Sequence, residues 1–342
     1  MRRRDFVGAV AGVALERRAG ARRERRVRIG VLGAAHSHAL DKIRVLLASP
    51  DFDLVGVWPE SDAVRGMCAS LGVHLLGRDE LLAASEAVAV ESAVRDHAEH
   101  ACVALRAGRH VHLEKPPAVT LAAFDQIARL ARRAGRVLQV GYMWRHHPGI
   151  EAALQAARAG WLGEIRAVRV HIGTALPEER RSEWAEFRGG VLFELGCHLI
   201  DPIVRLLGAP QAVHATLGRH GLPRDTLADE TVAVLEYPRT LAVVTASATE
   251  RSAAPSRRFE VRGTLGSAVV CPIEPPVLRM DLARAAGPYT AGAHEVPLPP
   301  YRRYVEDFAE LAACVREGRP SPIPLDVERV VQRTLLAACG MR

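Results

Sequence analysis

The sequence predicts an α/β domain built on a parallel sheet, followed by an α+β domain with a large, mostly antiparallel sheet. Three observations carry this reading. Up to about residue 148, short apolar strands alternate with helical stretches of about 10–15 residues, the pattern of right-handed βαβ units. After Gly149 the pattern changes to period-two strands joined by Gly/Pro turns, as in antiparallel sheets. A chain of 342 residues also exceeds the usual size of one domain and can bury a large core. The boundaries that follow are a basic tail at 1–26, a first domain at 27–148 and a second at 149–342.

Val27 to Leu32 is a short apolar strand, Gly33-Ala34-Ala35-His36-Ser37-His38 a turn, and Ala39 to Ala48 an amphipathic helix. Leu54 to Trp58 reads as the second strand, with a helix from about Ala63 to Leu71 behind it. Val88 to Val90 is the third strand, and the helix from His97 to Ala107 stops at Gly108, a residue suited to a left-handed C-cap. Arg109 to Leu113 forms the fourth strand. Thr120 caps a helix through Arg133 that ends at Gly135, and Val137 to Val140 is the fifth strand. Beyond Gly149, a helix to Ala159 precedes an alternating strand, Ile165 to Ile172. Val213 to Leu217, Thr231 to Tyr237, Leu241 to Thr249, Phe259 to Arg262, Ala268 to Val270 and Val277 to Leu282 follow as strands. Two closing helices, Tyr304 to Glu317 and Val327 to Ala338, flank the Pro-rich linker Pro320 to Pro324.

Charge narrows the function classes. The net charge is +7, but residues 1–28 hold ten arginines against three acids and account for all of it. The neutral remainder gives no electrostatic support for nucleic-acid binding. No apolar run approaches the roughly 18 residues of a membrane span. Cys68, Cys102, Cys197, Cys271, Cys314 and Cys339 show no C-x-x-C spacing and read as reduced core thiols. The N-terminus resembles a twin-arginine export signal: Arg3-Arg4-Asp5-Phe6, then the apolar Val7 to Leu15, with Ala19-Gly20-Ala21 as a cleavage site. The apolar stretch is short, and Glu16-Arg17-Arg18 follows it at once, as in a plain basic tail. Cytoplasmic and periplasmic locations both stay open.

Three constellations carry chemistry. The chain has only two lysines, Lys42 and Lys115. Lys42 shows no evident role, whereas Lys115 lies in Glu114-Lys115-Pro116-Pro117, at the carboxyl end of a parallel strand where such sheets bind ligands. Lysine is a compact ammonium whose pKa moves readily, so it can join in proton transfer where arginine cannot. The second constellation is Glu194, His198 and Asp201, which in a helix fall at i, i+4 and i+7 on one stripe of an otherwise apolar element. Buried carboxylates and imidazoles need partners or a wet cavity. The stripe therefore reads as a pocket lining, with His198 a proton acceptor oriented by Glu194, or as a satisfied internal network. The third is the turn after the first strand. Dinucleotide turns use three glycines for tightness, close backbone approach and helix packing. Here those positions read Gly33, Ala35 and His38, and Trp58 stands where a ribose-binding acid would, with Glu60 two residues on.

Taken together, these segments resemble the Gfo/Idh/MocA family of oxidoreductases. The matching pieces are Ile29-Gly30-Val31-Leu32-Gly33, His97, the run Ala107 to Pro116, the run Val140 to Pro148, Gly160-Trp161-Leu162-Gly163-Glu164-Ile165, the Glu194 to Asp201 helix, Asp229-Glu230-Thr231 and the closing Tyr304 to Phe308 segment. The resemblance implies a Rossmann domain binding NAD or NADP, and a second domain whose open sheet packs on substrate and on a partner subunit in a homodimer or homotetramer. It implies catalytic roles for Lys115, His198 and Glu194. Cofactor contacts would come from Gly33, Ala35, His36, Ser37, Glu60, Ser92, His97, Glu114, Lys115 and Arg145. Substrate contacts would come from Lys115, Arg145, Glu194, His198 and Asp201. The implied reaction is hydride transfer between nicotinamide and a carbinol of a sugar, polyol or related small molecule, with the hydroxyl proton taken by His198 or Lys115. The chain departs from the family pattern at Ala35, His38 and Trp58, and Ser92-Ala93 stands where many members carry Thr-Pro.

His36/His38 and His110/His112 are i,i+2 pairs, and His146-His147 adds two more. Each pair supplies two ligands only, with no C-x-x-C, H-E-x-x-H or carboxylate cage, so no metal is expected. Two other functions stay open: an NAD-assisted glycoside hydrolase or lyase of the same fold, and a non-catalytic binding or regulatory protein that has lost cofactor affinity.

Overall fold

The computed structural model describes residues 25–220 and 225–341; the export-signal reading falls on residues that lie outside these. The first half runs β1 (Val27–Leu32), α1 (Ala39–Ala48), β2 (Phe52–Trp58), α2 (Asp62–Ala69), α3 (Arg78–Ala84), β3 (Ala87–Val90), α4 (His97–Arg106), β4 (His110–Leu113), α5 (Leu121–Ala134) and β5 (Leu138–Val140). All five strands pair in parallel, in the order β2-β1-β3-β4-β5. Val27, Ile29, Val31 and the whole of β3 are fully buried, as expected of a parallel sheet covered on both faces. Helix ends follow local rules: the Thr120 hydroxyl accepts from the Ala123 amide at 3.2 Å, and α5 stops at Gly135 with φ 60°. Strand order reverses between β1 and β3, and the loops leaving these two strands flank the crevice where open α/β sheets take ligands.

The second half adds α6 (Pro148–Arg158), β6 (Ile165–Gly173), α7 (Arg181–Ala185), α8 (Cys197–Leu207), β7 (Ala212–Gly218), β8 (Glu230–Glu236), β9 (Leu241–Ser247), β10 (Arg258–Gly263), β11 (Gly266–Val270), β12 (Leu278–Leu282) and β13 (Gly292–Val296). Helices α9 (Val305–Glu317) and α10 (Leu325–Ala338) close the chain. The eight strands lie in the order β13-β12-β11-β10-β6-β9-β8-β7, antiparallel except for β6 with β9. Alternate residues point into the core, as with Leu278, Met280 and Leu282 of β12, while Arg279 and Asp281 face outward. Helices α6 and α8 pack on the sheet. Among the described residues no helix is long and apolar enough to cross a membrane, and the six cysteines are free.

The elements that the sequence pattern misses have physical reasons. Helix α3 is seven residues long, just under two turns, too short for an apolar repeat to stand out. Helix α7 has five. Strand β13, Gly-Ala-His-Glu-Val, lacks a β-branched run and is held at the sheet edge by its backbone ladder to β12. The expected helix across Glu194 to Asp201 is divided: Leu192–Gly196 form a π-helical turn, and α8 begins at Cys197. Across this junction Glu194 and His198 share no hydrogen bond. Such turns often occur at functional sites.

Candidate active site

The site gathers at the carboxyl ends of β1, β3 and β4, where the π-helical turn of the second half meets them. Gly33 leaves β1 with φ +75°, and a Cβ there would lie 2.5 Å from the Ser92 Cβ. Only glycine fits a turn pressed this closely on the loop after β3. The next two amides, Ala34 and Ala35, point at one anion: the Glu60 carboxylate accepts from them at 2.8 and 2.9 Å. Ala35 and Ser37 are exposed at the rim. Beside them opens a cavity of about 270 Å³, bordered by Ala35, Val94 and Arg95 on one side and by Trp184, Phe187 and Glu194 on the other. The tight turn at Gly33 fits the first glycine position of a dinucleotide turn, while the two amides after it are held by Glu60.

Lys115 is fully buried, and its Nζ donates to the Glu194 carboxylate at 2.6 Å and to the Glu194 carbonyl at 2.9 Å. Burial lowers the lysine pKa, but the charge and hydrogen bond of Glu194, with Cys197 and Glu114 behind them, together outweigh it and raise it, so the ammonium persists. Burial in turn pushes Glu194 up, yet Lys115 and His36 together bring it down to about 2. His36 donates to the same Glu194 oxygen through Nε2 at 3.2 Å. Glu194 therefore serves Lys115 and His36, not His198 as the helical spacing suggested.

His198 is 1% exposed, and neither ring nitrogen has a hydrogen-bond partner among the described residues. Its ring lies 5.7 Å from Trp144, 6.0 Å from His38 and 6.3 Å from Tyr142, centroid to centroid. Burial, then the charge on Lys115, hold its pKa well below the ordinary value, so the imidazole is neutral.

Glu114 does not face the cleft. It is fully buried, accepting from the Lys115 amide at 2.9 Å and from His38 Nδ1 at 3.3 Å. Its other oxygen accepts from Lys42, whose Nζ also reaches Glu91 at 2.8 Å and His112 Nε2 at 2.9 Å. Burial would raise Glu114, but Lys42, His36 and His38 keep it well below the usual range. Burial lifts Glu91 to about 8 against the pull of Lys42. His97 is also enclosed, its nitrogens 2.8 Å from the Pro116 carbonyl and 3.0 Å from the Ser92 carbonyl, so it ties the loops after β3 and β4 together.

Arg145 and Asp201, expected at cofactor and substrate, instead hold each other. The Arg145 guanidinium donates to Asp201 at 2.7 Å and to the two Glu328 oxygens at 2.6 and 2.7 Å, all three side chains being buried. The Tyr142 ring stacks 4.7 Å from the guanidinium. A fork this fully engaged has no donors to offer a ligand.

The residues that sequence reasoning passed over are Lys42, Glu91 and, as an interacting side chain, His38. Lys42 left a trace: it interrupts the buried stripe Ala39, Ile43 and Leu46 of α1, and a lysine on such a stripe must have a buried partner. The expectation of no metal assumed that no carboxylate joins a histidine pair, yet the fold brings Glu114 from β4 to His36 and His38 from β1.

A parallel sheet with a glycine turn at its switch point, joined to a mostly antiparallel sheet, defines a dinucleotide-type α/β protein with an added α+β unit. Two family models match it: "Oxidoreductase family, NAD-binding Rossmann fold" over residues 27–142 and "GFO/IDH/MocA C-terminal domain" over residues 150–269. The chain belongs to the Gfo/Idh/MocA oxidoreductase family. The oxidoreductase YdgJ of Escherichia coli K12 is 31% identical over 187 residues, 54% of this chain and 53% of its own. A dTDP-3,4-didehydro-2,6-dideoxy-alpha-D-glucose 3-reductase of Streptomyces violaceoruber is 30% identical over 207 residues, 58% of this chain and 60% of its own. The chain thus spans a little over half the length of these curated relatives. The structure of GenD2 from gentamicin A biosynthesis, in complex with NAD, shares the fold with a TM-score of 0.75 at 24% identity, over 93% of this chain and 95% of that one.

Proposed function

We propose that the protein is an NAD(P)-dependent oxidoreductase that interconverts a carbinol and a carbonyl on a sugar, polyol or related small molecule. The observation that carries this is a division of labour: a buried, neutral, unpartnered His198 beside Lys115, whose charge is pinned by Glu194. Nicotinamide, when bound, supplies a two-electron hydride acceptor or donor. His198 takes the hydroxyl proton as the carbon loses hydride, and returns it in the reverse direction. Lys115 stays an ammonium and hydrogen-bonds the reacting oxygen, because its raised pKa makes it a poor base at neutral pH. Glu194 holds Lys115 in place and is not the base.

Gly33, Ala35, Ser37 and Ser92 border the dinucleotide in this reading, and Glu60 takes ribose hydroxyls. A carboxylate at Glu60 repels a 2′-phosphate, so NAD is preferred to NADP. The outward face of the eight-stranded sheet is where we place a partner subunit. Light scattering giving a monomer mass would contradict that placement. The family description, and the NAD bound to GenD2, support the cofactor; the reductase named above supports a sugar-type substrate.

The test is NAD⁺ reduction by purified protein across a panel of sugars and polyols, followed by NADH absorbance. Turnover on at least one, cut roughly a hundredfold or more in Lys115→Met and His198→Ala, is expected. Turnover that survives both substitutions would remove the site assignment.

A further inference from the structure

The geometry points to a divalent transition-metal site formed by His36, His38 and Glu114, next to His198. One ligand atom from each of the three lies within 4.8 Å of the others. A single oxygen, Glu114 Oε1, is the focus: His38 Nδ1 stands 3.3 Å from it and His36 Nδ1 3.9 Å. Two imidazoles and a carboxylate form the donor set that holds zinc in catalytic sites and ferrous iron in facial triads.

The surroundings suit an ion. Metal-bound histidines commonly donate their second nitrogen to a carboxylate, and His36 already does so, from Nε2 to Glu194 at 3.2 Å. The two nearby ammoniums are each held by carboxylates, Lys42 by Glu91 and Glu114, and Lys115 by Glu194. His36 Nδ1 now accepts the His38 amide at 3.2 Å, and an ion would replace that contact. Metal–ligand distances near 2.0–2.2 Å require the three side chains to draw together by roughly 1 Å.

His198 supplies an independent observation. A buried imidazole with neither nitrogen bonded to a described residue is costly unless something else meets it, and its ring lies 6.0 Å from that of His38. With three protein ligands the ion keeps an open position. A water or substrate oxygen there would give His198 the partner it lacks. The site also gives a use to the two histidines of a turn that elsewhere favours glycine.

The inference does not depend on nucleotide binding, so its test is separate. Metal-free protein, checked by circular dichroism, is titrated with Co²⁺ and then Zn²⁺ while visible absorption is recorded. The expected result is about one equivalent of Co²⁺ giving ligand-field bands that Zn²⁺ displaces. His38→Ala and His36→Gln, both folded, should weaken binding at least tenfold, while His171→Ala leaves it unchanged. No bands, or bands equal in the wild type and both site variants, would overturn the proposal, the second outcome meaning adventitious binding. NADH binding measured on the same samples reports on the oxidoreductase reading alone.

Discussion

Two buried ionic networks sit side by side in this molecule, and one is closed while the other is open. In the closed one, Arg145, Asp201 and Glu328 saturate each other between the end of β5, α8 and α10. In the open one, the chain Lys115–Glu194–His36 and the cluster Lys42–Glu91–Glu114–His38 surround a histidine with two unbonded nitrogens. Both were bought with desolvation of several charges. A closed network fixes the meeting of two units, whereas the open one borders the cavity lined by Ala35, Trp184 and Glu194.

The contrast breaks first at the closed network. Arg145→Ala leaves Asp201 and Glu328 buried with only the more distant Arg205, 3.7 Å from the Asp201 carboxylate, as a cation, and urea denaturation should show a loss of about 3–5 kcal/mol. A loss below about 1 kcal/mol would mean that the network contributes little. His198→Ala should behave in the opposite way. It removes no hydrogen bond, so stability should move by no more than the cavity term, while kcat falls roughly a hundredfold, about 2.7 kcal/mol of barrier. Large destabilisation with normal turnover would reverse the two roles. Gly33→Ala forces a Cβ onto Ser92 and a positive φ on alanine, and should cost about 1–3 kcal/mol of stability and weaken nucleotide binding.

Acid dependence is a smaller effect with a definite sign. His198 is held well below its ordinary pKa of 6.5 by burial and Lys115. Its base form therefore persists as pH falls, and the acid limb of kcat/KM in the free enzyme should lie well below 6.5. A limb at or above 6.5 would mean that another group is the base. The smallest expected change is at Glu60. Glu60→Gln removes the charge that repels a 2′-phosphate and should shift the NAD over NADP preference by roughly tenfold, about 1.4 kcal/mol. An unchanged ratio would place nucleotide selection elsewhere.

Much of this was legible in the residues, and its limits are physical. The parallel sheet showed through period and length, since strands such as Ala87–Val90 are uniformly apolar and the helices between them are amphipathic or well capped. Lys115 was legible because it stands at a strand end in a chain that otherwise uses arginine. What periodicity could not show was the π-helical turn, because a local change in helix type leaves no mark in apolar spacing; Glu194 was therefore assigned to His198. Arg145 and Asp201 read as ligand contacts because their mutual pairing, with Glu328 from α10, spans 183 residues at its longest. The convergence of His36, His38 and Glu114 is likewise a product of strand order, since β1 and β4 lie either side of β3.

In the function proposed above, the cleft at the Gly33 turn, beside the open network, takes a nicotinamide dinucleotide. Titration of NADH into purified protein, followed by its fluorescence and by calorimetry, tests it most directly. Saturable binding of about one NADH per chain is expected, weakened by Gly33→Ala and retained in His198→Ala. Absence of binding up to roughly millimolar NADH and NADPH, the weak end of cofactor affinity, would contradict it.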